Sequence, residues 1–176
     1  MFPIDFPAGF DYNKTLANKP IWFNAHIERT KNMYERTKNH ACVTFFSLGN
    51  EAGNGCNMYK TYEYLKKNEV DGQNRPIVYE CVRFKDNTDI HVPMYFSDLE
   101  FVDMAEDFTD KPIIACEYSY SIGNSNGGFN RIWNVMYKYP NLQGGFIWDW
   151  VDKGLLETGK NGKKFWAFGG DYGNKC

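Results

Sequence analysis

The sequence predicts an α/β fold, a partial (β/α)8 TIM barrel that holds strands four to eight with their helices. Apolar runs alternate with helical stretches along the chain, which implies parallel βαβ units. The runs have the character of strands buried on both faces, which fits a parallel sheet. Barrels of this type typically need ~250 residues, and the chain has 176. Residues 1–176 are therefore predicted to be one unit, the C-terminal part of a barrel.

The predicted strands are short apolar runs bounded by turn residues. Pro93 lies in the third of them and should sit at its end or at a bulge, because proline cannot donate to a sheet. In chain order the five predicted strands are residues 42–49, 76–82, 89–95, 112–119 and 142–150.

The predicted helices carry apolar residues three or four positions apart. In the second helix Met58, Tyr62 and Leu65 share one face. In the fourth helix the predicted inward residues are Phe129, Ile132, Trp133 and Met136. The four helices are residues 21–38, 57–67, 99–108 and 129–139, and the Gly-rich segment after residue 150 is predicted to be a loop or a hairpin.

A doubly wound sheet is the competing fold. It usually carries a glycine-rich phosphate loop such as GxGxxG after a strand. The nearest match, "GNEAGNG" at residues 49–55, places Glu51 where a phosphate would be repelled. Barrels instead place reactive groups at the carboxyl ends of their strands, which is where Glu51, Tyr95 and Glu117 lie. The barrel is therefore the preferred prediction.

Composition excludes two classes of partner. The net charge is −2, and Lys and Arg are scattered among acidic residues with no basic stripe, which argues against nucleic-acid binding. No apolar run approaches the ~20 residues that a membrane span needs. We therefore expect neither a nucleic-acid nor a membrane partner.

Glu51 and Glu117 each lie at the end of an apolar strand, 66 residues apart. A glutamate is rarely found in a buried strand unless it is paired or has a functional role. Two facing carboxyl groups suit glycoside hydrolysis, in which one is protonated and the other ionised. The spacing alone does not distinguish retention from inversion, and two ordinary strand-end acids are the simpler alternative. Core packing is likewise the alternative for Trp148 and Trp150.

Four motifs, "SLGNEAGNG", "PMY", "ACEYSYSIGNSNGGF" and "LQGGFIWDWVD", occur in this order. They resemble the glycoside hydrolase family 2 β-galactosidases over residues 21–174. The resemblance implies a retaining mechanism with Glu51 as general acid/base and Glu117 as nucleophile. It also implies that Tyr95 hydrogen-bonds the nucleophile, that Asn50 binds the sugar 2-hydroxyl group, and that Trp148 belongs to the galactose pocket.

The chain departs from the family pattern at two points. Tyr120 stands where the family has a histidine that contacts the sugar, so Tyr120 is expected to contact substrate in its place. The family also binds Mg²⁺ with Glu51 as one ligand, while its other two protein ligands precede the first residue of this chain. A Mg²⁺ site is thus expected in a longer protein and is expected to be incomplete here.

Two alternatives remain beside a β-galactosidase catalytic-domain piece that binds a β-galactoside. One is another retaining β-glycosidase on the same barrel. The other is an inactive fragment or carbohydrate-binding remnant, because an open barrel leaves an unpaired strand edge. For the same reason we expect the chain to self-associate.

Overall fold

The computed structural model describes residues 11, 14–70, 73–82, 86–121, 125–151 and 153–173. Its helices are α1 (Phe23–Thr37), α2 (Cys56–Val70), α3 (Asp98–Asp107) and α4 (Phe129–Lys138). Its strands are β1 (Phe46–Ser47), β2 (Ile77–Val78), β3 (Ile113–Tyr118), β4 (Leu142–Ile147), β5 (Leu155–Thr158) and β6 (Lys164–Ala167). All four predicted helices are present at the predicted places.

Strands β1 to β4, together with residues 90–94, form one parallel succession in chain order. β1 pairs in parallel with β2, and β3 pairs in parallel with β4. Residues 90–94 lie between the two pairs and join them through parallel bridges, which are Val78 to Ile90, His91 to Ile113 and Met94 to Glu117. Five neighbouring parallel segments with helices between them confirm the predicted partial barrel.

The third predicted strand is reduced to single bridges. Pro93 lies between the bridges of His91 and Met94, and it lacks an N–H group, so it cannot donate to a ladder. Its carbonyl oxygen still accepts a hydrogen bond of 3.0 Å from the Cys116 N–H. The segment 90–94 therefore holds its place in the sheet without forming a regular strand.

The two faces of β3 divide the core between them. Ile113 and Ala115 pack with the buried residues of α3 and α4, including Phe101 and Met136. Ile114 and Cys116 point to the opposite face, the barrel interior. This alternation is the period of a β-strand, and it places the helices on the outer surface of the sheet.

Helix α4 is less buried than predicted. Of the four residues predicted to face inward, Met136 is buried, Ile132 and Trp133 are partly buried, and Phe129 is exposed. Phe129 is the first residue of the helix and stacks on Tyr118 with ring centroids 5.7 Å apart.

The C-terminal segment is a hairpin, in which β5 and β6 pair antiparallel. Most of its apolar side chains are exposed, including Leu155, Leu156, Trp166 and Phe168. Among the residues that the structure describes, no helix is both long and apolar enough to cross a membrane.

Candidate active site

A cavity of about 380 Å³ opens on the inner face of the sheet, at the carboxyl ends of the parallel segments. Its wall is mostly apolar, with a few polar groups, which is the usual character of a small-molecule site. The apolar lining residues are Phe45, Val78, Ile90, Val92, Ile114, Cys116 and Phe146, and the remaining ones are Ser47, Gly49, Asn50, Glu80, Glu117 and Trp148.

Glu117 reaches this cavity because the pairing of β3 with β4 changes register. Ala115 lies opposite Gly145, and Tyr118 lies opposite Ile147. Between these two pairs β3 therefore contains one more residue than β4. Such an irregularity breaks the strict alternation of side chains. As a result Cys116 and Glu117, which are adjacent in sequence, both line the cavity. Only 8% of Glu117 remains exposed.

Tyr95 binds Glu117 through both its side chain and its backbone. The Tyr95 hydroxyl group donates a hydrogen bond of 2.5 Å to Oε2 of Glu117, and the Tyr95 N–H donates one of 2.8 Å to the Glu117 carbonyl oxygen. Tyr95 has a left-handed backbone, with φ of 58°, which is uncommon for a residue with a side chain. The two hydrogen bonds hold the phenol ring against the carboxylate.

Burial, together with the hydrogen bond to the Glu117 carboxylate, holds the pKa of Tyr95 far above its ordinary value. The phenol therefore stays protonated and remains a donor at any physiological pH. The ring of Tyr120 lies beside it, with centroids 5.8 Å apart and planes inclined at 50°. Tyr120 is exposed, so its side chain is accessible to a ligand.

The loop after β1 brings Asn50 and Glu51 to the cavity. Asn50 lines it, whereas Glu51 is exposed beside it. Glu51 has a left-handed backbone with φ of 49°. The loop then turns at Gly53, whose φ is 74° and where a Cβ atom would come within 2.5 Å of Thr15. The hydroxyl group of Tyr79 stabilises the same turn, because it donates a hydrogen bond of 2.5 Å to the Gly53 carbonyl oxygen.

Glu80 lines the cavity together with Glu117, and it was not among the residues predicted from the sequence. It follows β2, and its Oε1 accepts a hydrogen bond of 2.5 Å from the backbone N–H of Glu51. Burial raises the pKa of the Glu80 carboxyl group. The signal was present in "PIVYE", where an apolar run again ends in an acid, as it does before Glu51 and Glu117.

Trp148 follows β4 and lines the cavity, with 42% of its surface exposed. Its N–H donates to the Tyr118 carbonyl oxygen at 2.9 Å, and its own carbonyl oxygen accepts from the Ser121 N–H at 2.8 Å. The Trp148–Asp149 peptide bond is cis. Trp150 is 82% exposed, so neither tryptophan is a core residue in the described part of the chain.

The structure thus gathers the predicted residues around one cavity to different degrees. Asn50, Glu117 and Trp148 line the wall. Tyr95 contacts Glu117, and Tyr120 contacts Tyr95. Glu51 contacts the wall through its backbone N–H, which donates a hydrogen bond to Glu80.

Sequence comparison places this constellation in a family. The family model described as "Glycosyl hydrolases family 2, TIM barrel domain" matches residues 5–176. A β-galactosidase of Yersinia enterocolitica is 39% identical over 94% of this chain, and one of Pseudoalteromonas haloplanktis is 40% identical over 97% of it. The chain spans 17% of the length of each of these relatives.

Solved structures show the same fold. A β-glucuronidase of Ruminococcus gnavus bound to D-glucaro 1,5-lactone superposes with a TM-score of 0.57 at 19% identity, covering 78% of this chain and 31% of that one. A β-glucuronidase of Faecalibacterium prausnitzii gives a TM-score of 0.56 at 19% identity, covering 77% and 29%. The family-model match, which spans nearly the whole chain, shows that the protein belongs to glycosyl hydrolase family 2 and represents part of its TIM barrel domain.

Proposed function

We propose that this chain is part of a retaining β-galactosidase, which hydrolyses terminal β-D-galactosides through a covalent glycosyl-enzyme intermediate. The observation that supports it most directly is the hydrogen bond from Tyr95 to Glu117, a residue of the cavity wall. Glu117 is buried, and a phenol that stays protonated at physiological pH holds its side chain in a fixed orientation at a ligand-sized space. The β-galactosidase names of the relatives near 40% identity favour a galactoside as substrate.

In the proposed first step, a Glu117 oxygen attacks the anomeric carbon while the bond to the leaving oxygen breaks. Oε2 is engaged by Tyr95, so Oε1 is the oxygen left for the new bond. Glu51, as a carboxylic acid, gives its proton to the leaving oxygen, and the alcohol departs. The electron pair of the broken bond leaves with that alcohol, and Glu117 becomes a glycosyl ester.

In the second step, Glu51 as a carboxylate takes a proton from water, and the water oxygen attacks the anomeric carbon. The ester bond breaks, and Glu117 is released as a carboxylate with Glu51 protonated again. Asn50 lines the cavity next to Glu51 and is proposed to bind the 2-hydroxyl group of the sugar. Trp148 is proposed to pack against the sugar ring, and Tyr120 to contact it from the outer side.

Magnesium does not fit the described residues as a complete site. Mg²⁺ demands six oxygen ligands in octahedral geometry and keeps several waters. Glu51 is the one ligand that the family resemblance implies in this chain, and the described ranges contain no group of three or more His, Cys, Asp or Glu residues that could hold a metal. No step above is therefore routed through a metal. We propose that any Mg²⁺ at Glu51 takes further ligands from elsewhere, so added Mg²⁺ should leave the melting temperature of this chain unchanged relative to EDTA.

The second candidate is another retaining β-glycosidase, and a β-glucuronidase is the specific case. The structural neighbours carry that name, although an identity below 20% speaks for the fold alone. The third candidate is a carbohydrate-binding remnant without catalysis. The three are separated by one panel of aryl β-galactosides and aryl β-glucuronides tested with the full-length gene product.

The decisive experiment combines that panel with a covalent trap. A 2-deoxy-2-fluoro galactoside with a good leaving group should label Glu117 of the full-length gene product, as seen by a peptide mass shift, because the fluorine slows the second step. Glu117→Gln should abolish turnover, since an amide forms no glycosyl ester. Turnover without labelling at Glu117 would contradict the retaining mechanism, and turnover of glucuronides alone would contradict the galactoside assignment.

A further inference from the structure

Glu80 is the one carboxylate of the cavity wall that the proposed mechanism does not use. It lies directly after β2, in a wall whose neighbouring residues Val78, Ile90 and Val92 are apolar. Placing a carboxylate there is unfavourable unless hydrogen bonds compensate for the lost water. The compensation that the structure shows comes from Glu51, through its backbone N–H, and from the Cys81 thiol at 2.9 Å.

The partner of Glu80 is unusual in its own right. The Glu51 backbone is left-handed, with φ of 49°, and a non-glycine residue in that region is stable only when its surroundings hold it there. The hydrogen bond to Glu80 acts at the Glu51 N–H itself, at 2.5 Å. Because φ describes rotation about the bond from this nitrogen to Cα, fixing the N–H direction restricts where the Glu51 side chain can point.

The strand order explains why Glu80 can reach that nitrogen. β1 and β2 are parallel neighbours, with Phe46 opposite Ile77 and Ser47 opposite Val78. The segments that follow them, which carry Glu51 and Glu80, therefore emerge at the same edge of the sheet. The two residues are 29 positions apart in sequence, so the contact is a product of the fold.

We infer that Glu80 is a positioning residue, which holds the backbone of Glu51 in its left-handed conformation and so aims the Glu51 side chain at the leaving oxygen. This inference rests on the proposed role of Glu51 as general acid/base. Glu80 does not contact the reacting atoms, and it acts only through Glu51. What it must supply is a hydrogen-bond acceptor at the place of Oε1, which a glutamine also supplies.

The test compares Glu80→Leu, which removes the acceptor, with Glu80→Gln, which keeps it, in the full-length gene product. A general acid matters most for poor leaving groups. Glu80→Leu should therefore lower kcat for an alkyl β-galactoside by on the order of 10- to 100-fold, part of the 10²- to 10⁴-fold that a general acid contributes. The first step with a dinitrophenyl β-galactoside, followed as the initial burst, should change little.

Two further readouts separate positioning from general damage. Azide needs no general base to attack the glycosyl-enzyme, so it should restore steady-state turnover of the dinitrophenyl substrate by Glu80→Leu and yield the glycosyl azide. Glu80→Gln should retain most of the wild-type kcat for both substrates. Glu100→Ala is the matched control. The Glu100 carboxyl group also accepts a hydrogen bond from a backbone N–H, that of Ser97 at 2.8 Å. Its removal should give rate changes that do not depend on the leaving group.

Equal losses with both substrates in Glu80→Leu, or a loss in Glu80→Gln as large as that in Glu80→Leu, would overturn the inference. Failure of Glu80→Leu and Glu80→Ala to fold would also overturn it, because Glu80 would then support the fold rather than aim Glu51. The proposed function fails in a different way. In that case wild type shows no glycosidase activity, or Glu51→Gln shows no leaving-group dependence.

Discussion

The Tyr95 hydroxyl group lies 2.5 Å from Oε2 of Glu117, and the Tyr95 N–H lies 2.8 Å from the Glu117 carbonyl oxygen. One residue therefore restrains both the backbone and the carboxylate of the proposed nucleophile. Tyr95 directly follows the segment 90–94, and Glu117 belongs to β3. The contact therefore joins adjacent parallel segments of the barrel.

Replacing Tyr95 by phenylalanine should weaken catalysis while the fold persists. A hydrogen bond to a charged group contributes roughly 1.5–3 kcal/mol, so Tyr95→Phe should lower kcat/KM by about 10- to 100-fold in the full-length gene product. Tyr137→Phe is the matched control, because Tyr137 is 82% exposed on α4. Steady-state kinetics and a thermal melt measure both effects, and unchanged kinetics in Tyr95→Phe would contradict the role assigned to this contact.

Restoring the family histidine should strengthen sugar binding. Tyr120 is exposed beside Tyr95, at the position where related β-galactosidases are expected to present an imidazole. Tyr120→His should lower the inhibition constant of a galactose-type inhibitor by about 5- to 10-fold, the equivalent of one net hydrogen bond of ~1 kcal/mol. Tyr137→His serves as control. If the inhibition constant does not change, Tyr120 either replaces the imidazole fully or does not contact the sugar.

Acid should destabilise the protein through Glu69. This carboxylate is 1% exposed and binds Arg75 through Oε1 to Nη2 at 2.8 Å and Oε2 to Nε at 3.0 Å. The hydrogen bonds from Arg75 lower the pKa of Glu69 below its ordinary value. A carboxyl group whose pKa is lower when folded contributes stability above its unfolded pKa and loses it as pH falls through the folded value. Urea unfolding should therefore show a falling free energy below about pH 4.5.

Glu69→Gln tests this pair directly. It should cost about 3–5 kcal/mol at pH 7, because it leaves the Arg75 guanidinium buried without its partner, and it should flatten the acid dependence. Glu63→Gln is the control, since Glu63 pairs with Lys60 on the surface and exposed pairs contribute under ~1 kcal/mol. A loss in Glu69→Gln no larger than in Glu63→Gln would refute the prediction.

The chain by itself should self-associate and hydrolyse β-galactosides poorly. Within the described residues β1 pairs with β2 alone, so its other edge offers unpaired backbone groups. Light scattering should show mass rising with concentration. The N–H groups of Phe46 and Leu48 donate to the carbonyl oxygens of Pro76 and Val78, so the N–H group of Ser47 points away from β2. Ser47→Pro should therefore reduce association without breaking the pair. A monodisperse monomer with activity near that of the full-length gene product would contradict this prediction.

The sequence by itself determined the order and type of the main elements. Hydrophobic periodicity and turn residues, which act over short stretches of chain, predicted all four helices, the parallel character of the sheet and the position of Glu117 at the end of an apolar strand. The same signal selected Glu51 and Glu117 as the two candidate catalytic carboxyl groups. Their assignment to named roles came from the resemblance to glycoside hydrolase family 2 and stays a proposal.

Only the tertiary structure decided where those side chains point. Glu117 enters the cavity because β3 and β4 slip by one residue between Ala115 and Tyr118, and strand register depends on contacts between distant segments. The hydrogen bond from the Glu51 N–H to Glu80 likewise joins residues that follow two different strands. Trp150 shares its apolar neighbourhood in sequence with Trp148, yet only Trp148 lines the cavity. Local pattern specifies which segments form strands, whereas the register and twist between strands decide which of their terminal side chains meet.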